Sequence, residues 1–399
     1  MKHRLLWILL ALSVLWVSLT GHPQATWIEW YGHEDEVHVG GVLDMGTEYW
    51  LYGTSVASMD PPAAGIVVLK VQTDGTLIHP VSYDWDGVTS AADAVIDEAG
   101  NVLFAGRTNA YGAVGFDAYV LKTDPSGQTL AEWVYGDALD ESAARIFPGT
   151  HGDYYLVGNQ TNPDDPIADA STPGYGGLDF RSGPYVARIQ PSGAADWKRD
   201  FRTTANEVVF DAALAYNGDC YVLSTAYGFP NAEDALCVHR VADHGGMMWK
   251  RTFGAGSSKG YGLHALDSGW LLVAGSRRIE GGEEPQGLLL MLSAIGREVW
   301  SGTFGDPGAA TALHALAETD DGLFVAAGTQ IADHASYEDD IYIVCVDIYG
   351  EMQWEETISM GKHVVVEDLV VLDDGGFLVA GGGAEAGEPF QAFLLRVDP

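Results

Sequence analysis

The chain has 399 residues, with 56 Asp and Glu against 20 Lys and Arg and a formal net charge of −36 at pH 7. So acidic a surface repels nucleic acid and anionic membranes, which excludes both as expected partners; it suits solubility outside a cell and can hold hydrated cations. Cys220, Cys237 and Cys345 are too few and odd in number for a disulfide framework, so a large core must stabilise the fold.

Residues 1–25 have the layout of a signal peptide. Lys2 and Arg4 precede an apolar run from Leu5 to Leu19, which ends at Thr20-Gly21-His22-Pro23. The run is shorter than the roughly 20 residues a spanning helix needs, so cleavage is expected rather than retention as an anchor. No later run reaches membrane length. The mature chain is therefore expected to be secreted, at the cell surface or periplasmic, with no stable membrane span.

From Trp27 onward the chain repeats. A small residue closes a strand that follows a Gly-containing turn at Gly53, Gly106, Gly158, Ser224, Gly275, Gly328 and Gly381; outside the third interval these markers lie 51 to 53 residues apart. Within a unit, a short run such as Asp93-Ala94-Val95-Ile96 precedes the turn and Val102-Leu103-Phe104-Ala105-Gly106 follows it. A third run, such as Ala118-Tyr119-Val120-Leu121-Lys122, follows a polar loop. Turn glycines Gly75, Gly127, Gly193, Gly245, Gly296 and Gly350 then lead to an outer strand, usually marked by a Trp: Trp133, Trp197, Trp249, Trp300 and Trp354, with Trp27 matching at the start. His79 stands where one Trp is expected. Short β-branched and aromatic runs with a period near 50 and no helical pattern predict an all-β, seven-bladed β-propeller of four-stranded blades, one domain over residues 26–399.

The ends complement each other. Residues 27–32 form an outer strand with no third strand before it, and the chain stops directly after a third strand, so their pairing would close the last blade without an exposed edge.

The runs Asp374 to Gly381, Asp117 to Asp124 and Trp249 to Gly254 resemble the repeats of secreted bacterial and archaeal β-propeller proteins. That resemblance covers residues 27–399 and implies a fold and an extracytoplasmic setting, but no catalytic residues. The Gly-x-x-x-Trp steps at Gly296 to Trp300 and Gly350 to Trp354 also resemble the tryptophan-docking repeats of quinoprotein dehydrogenases. Those enzymes resemble an eight-bladed ring with a neighbouring cysteine pair, which this chain does not match, so no quinone cofactor is expected.

Few motifs suggest chemistry. In His33-Glu34-Asp35-Glu36-Val37-His38 the histidines are five apart in a loop, not four apart on a helix as zinc proteases need. The glycine-rich Gly254 to Gly260 lacks the ending of a phosphate loop. A hairpin centred near residue 229 would set Cys220 opposite about residue 239, so three buried thiols are expected rather than a Cys220–Cys237 bond. No cofactor is expected.

Two sets of residues stand out as binding candidates. Aligned on the repeat, one early position of the first strand carries His38, Asp93, Asp211, His264, His314 and Asp368, with Ala144 the exception; these would gather near the axis at one channel mouth. They either hold a cation or polar ligand, or satisfy neighbouring backbone. The connection from Asn159 to Gly183 is about twice as long as its counterparts and carries Asp164, Asp165, Asp169, Tyr175 and Asp179. It reads as a calcium-binding loop, a partner-binding loop or a ligand-free insertion.

The expectation is thus a secreted, monomeric, non-catalytic binding module for an extracellular protein or glycan; the alternative is a propeller hydrolase acting on carbohydrate through channel carboxylates. Because the first strand is entered from the same face as the long connections, any ligand is expected on that face.

Overall fold

The computed structural model describes residues 24–398 apart from 33–34, 60–61, 84–86, 111–114, 138, 150–151, 167–179, 203–205, 228–233, 255–256, 283 and 333–337. The described residues form strands and turns and no helix.

After β1 (Gln24–Tyr31), the strands group in chain order into antiparallel sheets. The first sheet is β2 (Glu36–Asp44), β3 (Glu48–Met59), β4 (Pro62–Gln72) and β5 (Leu77–Tyr83). The second is β6 (Thr89–Ile96), β7 (Val102–Thr108), β8 (Asp117–Thr123) and β9 (Thr129–Tyr135). The third is β10 (Asp140–Pro148), β11 (Tyr154–Pro166), β12 (Phe180–Ile189) and β13 (Ala195–Asp200). The fourth is β14 (Asn206–Leu214), β15 (Cys220–Tyr227), β16 (Ala235–Val241) and β17 (Met247–Phe253). The fifth is β18 (Ser258–Ala265), β19 (Leu271–Arg278), β20 (Pro285–Leu292) and β21 (Glu298–Phe304). Last come β22 (Ala310–Glu318), β23 (Phe324–Ile331), β24 (Asp339–Val346), β25 (Met352–Val371), β26 (Phe377–Ala384) and β27 (Gln391–Asp398).

These last six strands and β1 form a single seven-stranded sheet in the order β1-β27-β26-β25-β24-β23-β22. Its shared member is β25, whose residues 352–362 pair with β24 while residues 363–371 pair with β26. The sheet is thus a sixth and a seventh quartet on one continuous strand. The seventh quartet takes its outer strand from the other end of the chain, with Trp27 opposite Arg396 and Tyr31 opposite Ala392. Four-stranded sheets stacked face to face in chain order make this a β-propeller.

The core lies between sheets. Leu103, Ala105, Ala118 and Val120 of the second sheet pack on Ile146, Leu156, Tyr185 and Ala187 of the third, while the other face of the second sheet, with Phe104, Tyr119 and Leu121, packs on Trp50, Tyr52 and Val68 of the first. Middle strands are covered on both faces, so they read as unbroken apolar runs rather than alternating ones. Each fully buried aromatic of this kind contributes about 2–3 kcal/mol.

Outer strands lock each sheet to the next. A Cβ at Gly193, Gly245, Gly296 or Gly350 would meet Trp133, Trp197, Trp249 or Trp300 respectively, so the Trp of one sheet lies flat on the turn glycine of its neighbour. Where His79 replaces the Trp, Tyr83 reaches across instead and its hydroxyl donates to the Gly127 carbonyl at 2.6 Å. Tyr31 and Tyr135 do the same to Gly75 and Gly193.

Cys220, Cys237 and Cys345 are buried free thiols. Cys220 faces Val241, not residue 239, and Cys237 faces Ser224. The hairpin is centred further along the chain than the spacing suggests, which keeps the two cysteines four rungs apart.

Candidate functional site

Each first strand carries a β-bulge. The pairing register slips between Val39 and Gly41, Ala91 and Asp93, Ala143 and Arg145, and Val209 and Asp211. It slips again between Gly260 and Gly262, Leu313 and Ala315, and Val366 and Asp368. The bulge explains the marker glycines. A Cβ at Gly106 would stand 1.9 Å from the Ser90 carbonyl oxygen and one at Gly328 1.8 Å from that of Ala312, so the strand opposite the bulge has no room for a side chain there.

A bulge re-aims the residues around it, and here it brings side chains of different sheets together. Arg145 Nε donates to Asp211 Oδ1 at 2.5 Å, and Nη1 lies 3.4 Å from Asp93 Oδ1. The remaining carboxylate oxygens tie down backbone in the next sheet. Asp93 accepts from Ile146 N–H at 2.7 Å, Asp211 from Leu263 N–H at 2.6 Å, and Asp368 from Val42 N–H at 2.9 Å.

Burial pushes the Asp93 carboxyl up to about 6, against the opposing pull of Arg145 and Ile146 N–H. Desolvation by the surrounding strands raises Glu367, the bulge residue beside Asp368, to about 7, although part of the residue is exposed. Asp368 is raised by burial too. Asp93, Glu367 and Asp368 all lie near one guanidinium, whose positive charge pulls against the effect of burial on each of them.

Aromatic bulge residues line the other side. Phe210 meets Tyr261 edge-on with centroids 5.2 Å apart, and Tyr261 lies 4.7 Å from His314. Burial drives His314 down to about 4, against a hydrogen bond from its ring to the Val366 carbonyl, so its ring is neutral at pH 7. The counterparts Gly40, Ala92 and Ala144 are small.

Tyr261 and His314 also line a cleft of about 380 Å³. One wall is the fifth sheet, with Ser257, Lys259, Ser276 and Arg278; the floor is the sixth quartet, with Ala310, Thr311 and Thr329; the far wall is His363 of the seventh. All sit at starts of first strands or ends of second strands, so the cleft opens on the side of the long connections. In the third and fourth sheets the equivalent space is filled. There Glu141 binds Gln160 and Lys198, and buried Glu207 binds His239 and Lys250. The sixth quartet has Thr311 at that place, bonded to Gln330.

Of the residues singled out from sequence, Asp93, Asp211 and Asp368 share the central cluster, at mid-strand rather than at a mouth. His314 stands at the bulge position with its ring against Tyr261. His38 stands apart, 3.3 Å from Glu36 and stacked on Phe390, and His264 pairs with Glu318 at 3.1 Å. The candidates mix registers: counted from the bulge residue, Asp93, Asp211 and Asp368 stand one after it, His314 at it, His264 three after and His38 two before, and the third-sheet counterpart of Asp93 is Arg145 rather than Ala144. Counting thirteen residues back from Gly106, Gly158 and Gly381 lands on Asp93, Arg145 and Asp368, a signal that sequence alone contains. Nothing comparable points to Glu367, Tyr261 or the cleft.

Asp169, Tyr175 and Asp179 lie outside the described residues, and Asp164 and Asp165 fall at the end of β11 with only their backbone described. Among the described residues no group of three or more His, Cys, Asp and Glu side chains is placed to hold a metal ion.

Ser224, His239 and Glu207 come together, yet they do not form a nucleophile triad. His239 Nε2 meets both Ser224 Oγ at 3.1 Å and Glu207 at 3.0 Å, while Nδ1 has no partner, and all three are buried. A triad needs the carboxylate and the hydroxyl on opposite ring nitrogens.

No protein-family model and no curated protein matches the chain. Among solved structures it is similar to a protein of unknown function from Dyadobacter fermentans DSM 18053, at 11% identity over 95% of this chain and 100% of that one, with a TM-score of 0.55. It is also similar to puromycin hydrolase, at 16% identity over 89% of this chain and 51% of that one, TM-score 0.54. Pyrococcus horikoshii acylaminoacyl peptidase matches at 12% identity over 92% of this chain and 53% of that one, TM-score 0.51. The chain spans about half the length of these two hydrolases, and at such identities the likeness is one of fold.

Proposed function

We propose that the protein is a secreted binding module, a closed seven-bladed propeller over residues 26–399 that holds a small polar ligand in the cleft over its sixth blade. The cleft carries this reading, because it gathers hydroxyls, cations and an aromatic ring from three sheets where two other sheets fill the same space. Seven blades are supported by seven bulged first strands, each in contact with the next from β2 through β6, β10, β14, β18 and β22 to β25, and β25 with β2. Export is supported by the charged and apolar pattern of residues 1–25. Described helices long and apolar enough to cross a membrane are absent.

Binding is favoured over turnover because Asp93, Asp211 and Asp368 each accept a backbone N–H of the next sheet, a structural commitment. One observation favours the second reading, a hydrolase acting on carbohydrate: burial raises Asp93 to about 6 and Glu367 to about 7, toward the range a general acid needs. A glycan-binding and glycan-hydrolysis screen separates the two. Binding without turnover, lost in Ala310→Trp, is the expected result; turnover abolished by Asp93→Asn or Glu367→Gln would replace it with the enzyme reading. The long connection of the third blade belongs to the same face and is proposed to contact an extracellular protein or glycan, with calcium as its one candidate ion. Charge reversal of Asp164, Asp165 and Asp169 is expected to weaken that contact, and substitution of Ser126 or Asp373, on the opposite face, to leave it intact.

A further inference from the structure

From the cleft's chemistry we infer that its ligand is a sugar acid, a polyhydroxylated ring bearing one carboxylate; this rests on the cleft being the binding site. The volume, about 380 Å³, falls at the lower end of small-ligand sites, enough for one or two sugar rings.

The charges select an anion. Lys259 and Arg278 lie on one wall, and the acidic lining residue, Asp339, is 5% exposed and already bonded to His363 Nδ1. Lys259 also meets Asp234 at 3.3 Å, so the wall's positive character rests most on Arg278. A chain with net charge −36 would seem to repel any anion. At physiological salt the screening length is about 8 Å, so only charges at the cleft decide, and there the cations are in excess. Carboxylates bound by guanidinium and ammonium groups form charge-assisted bonds about twice as strong as neutral ones.

Hydroxyls supply the rest. Ser257, Ser276, Thr311 and Thr329 line the cleft, and a hydroxyl that donates elsewhere, as Thr311 does to Gln330, still accepts from a ligand. The Tyr261 ring offers the apolar face against which a sugar's C–H groups pack. A short aliphatic acid would use the cations and leave these groups idle.

The test is titration calorimetry on the full chain with sodium glucuronate, glucose and N-acetylglycine. Glucuronate should bind about tenfold more tightly than either of the others, the worth of one charge-assisted contact. Arg278→Gln, at an exposed position, should cost about tenfold in glucuronate affinity and leave glucose unchanged. Equal affinity for glucose and glucuronate, or no effect of Arg278→Gln, overturns the sugar-acid assignment while the cleft stands. N-acetylglycine binding as well as glucuronate overturns the role of the hydroxyls. Glucuronate affinity unchanged in Ala310→Trp, with its melting temperature retained, instead sinks the cleft as the site. Should that variant unfold, Arg278→Gln and Lys259→Gln still decide the assignment.

Discussion

Asp93 holds its proton more tightly in the folded protein than in the unfolded chain, since burial lifts its pKa from 3.8 to about 6. The resulting stabilisation is present in full below about pH 4 and lost as pH rises through 6, worth at most about 3 kcal/mol. Glu367, raised to about 7, extends the same trend toward neutrality. Glu207 acts oppositely. Although burial raises it, the bonds from His239 and Lys250 win and hold it near 2, so its contribution fades as pH falls from 4.5. Asp93→Asn removes one of these effects and leaves the others. Urea unfolding at pH 4.5 and pH 7.5 should show the variant gaining about 2 kcal/mol on the wild type over that interval; parallel curves would mean that Asp93 is ionised throughout. That a polar residue recurs in the first strands was legible from the sequence, and so was its register in the second, third and seventh sheets once counted from the marker glycine. The candidate set mixed positions before, at and after the bulge, and so took Ala144 where the counterpart of Asp93 is Arg145.

At the scale of the strand and turn, the repeat that the sequence displays most openly is a packing requirement. The small residue closing each second strand, a glycine in all but the fourth sheet, is the partner of a bulge, and the six turn glycines before outer strands are seats of neighbouring aromatics. A paired comparison isolates the second effect. Gly350 and Gly322 have nearly the same backbone angle, φ of +81° and +79°, but a Cβ at Gly350 would stand 2.9 Å from Trp300 while one at Gly322 meets nothing within 4 Å. Gly322→Ala should cost about 1 kcal/mol, the price of a left-handed residue, and Gly350→Ala at least about 1 kcal/mol more. Equal losses in thermal melts would show that the Trp moves aside freely. The cleft was not legible for a related reason: the place of Thr311 is taken by Val37, Thr89, Glu141, Glu207, Ser258 and Val364 in the other sheets, so a small hydroxyl residue there recurs and does not mark a cleft.

For the whole molecule, the complementary ends were readable because a missing strand at one terminus matches a surplus at the other, and β1 pairs with β27 along Gln24 to Tyr31. Deleting residues 27–32 exposes the edge of β27 and uncovers Gly75, on which Trp27 rests. The truncated protein should melt well below the wild type and less cooperatively, as followed by calorimetry; an unchanged melting temperature would refute closure by the termini.

The same pairing sets an order in time. Strand β1 leaves the ribosome before β2 to β26 and its partner β27 after them, so residues 24–31 lack that partner until residues 391–398 have been made. The loop their pairing closes is nearly the entire chain, and contacts this distant in sequence form slowly. Until then an apolar strand bearing Trp27, Ile28 and Trp30 waits unpaired. Stalled nascent chains ending before residue 391 should therefore remain open to protease within 24–31 while the first five sheets resist it. Protection of that segment in such chains would mean that β1 finds another partner first.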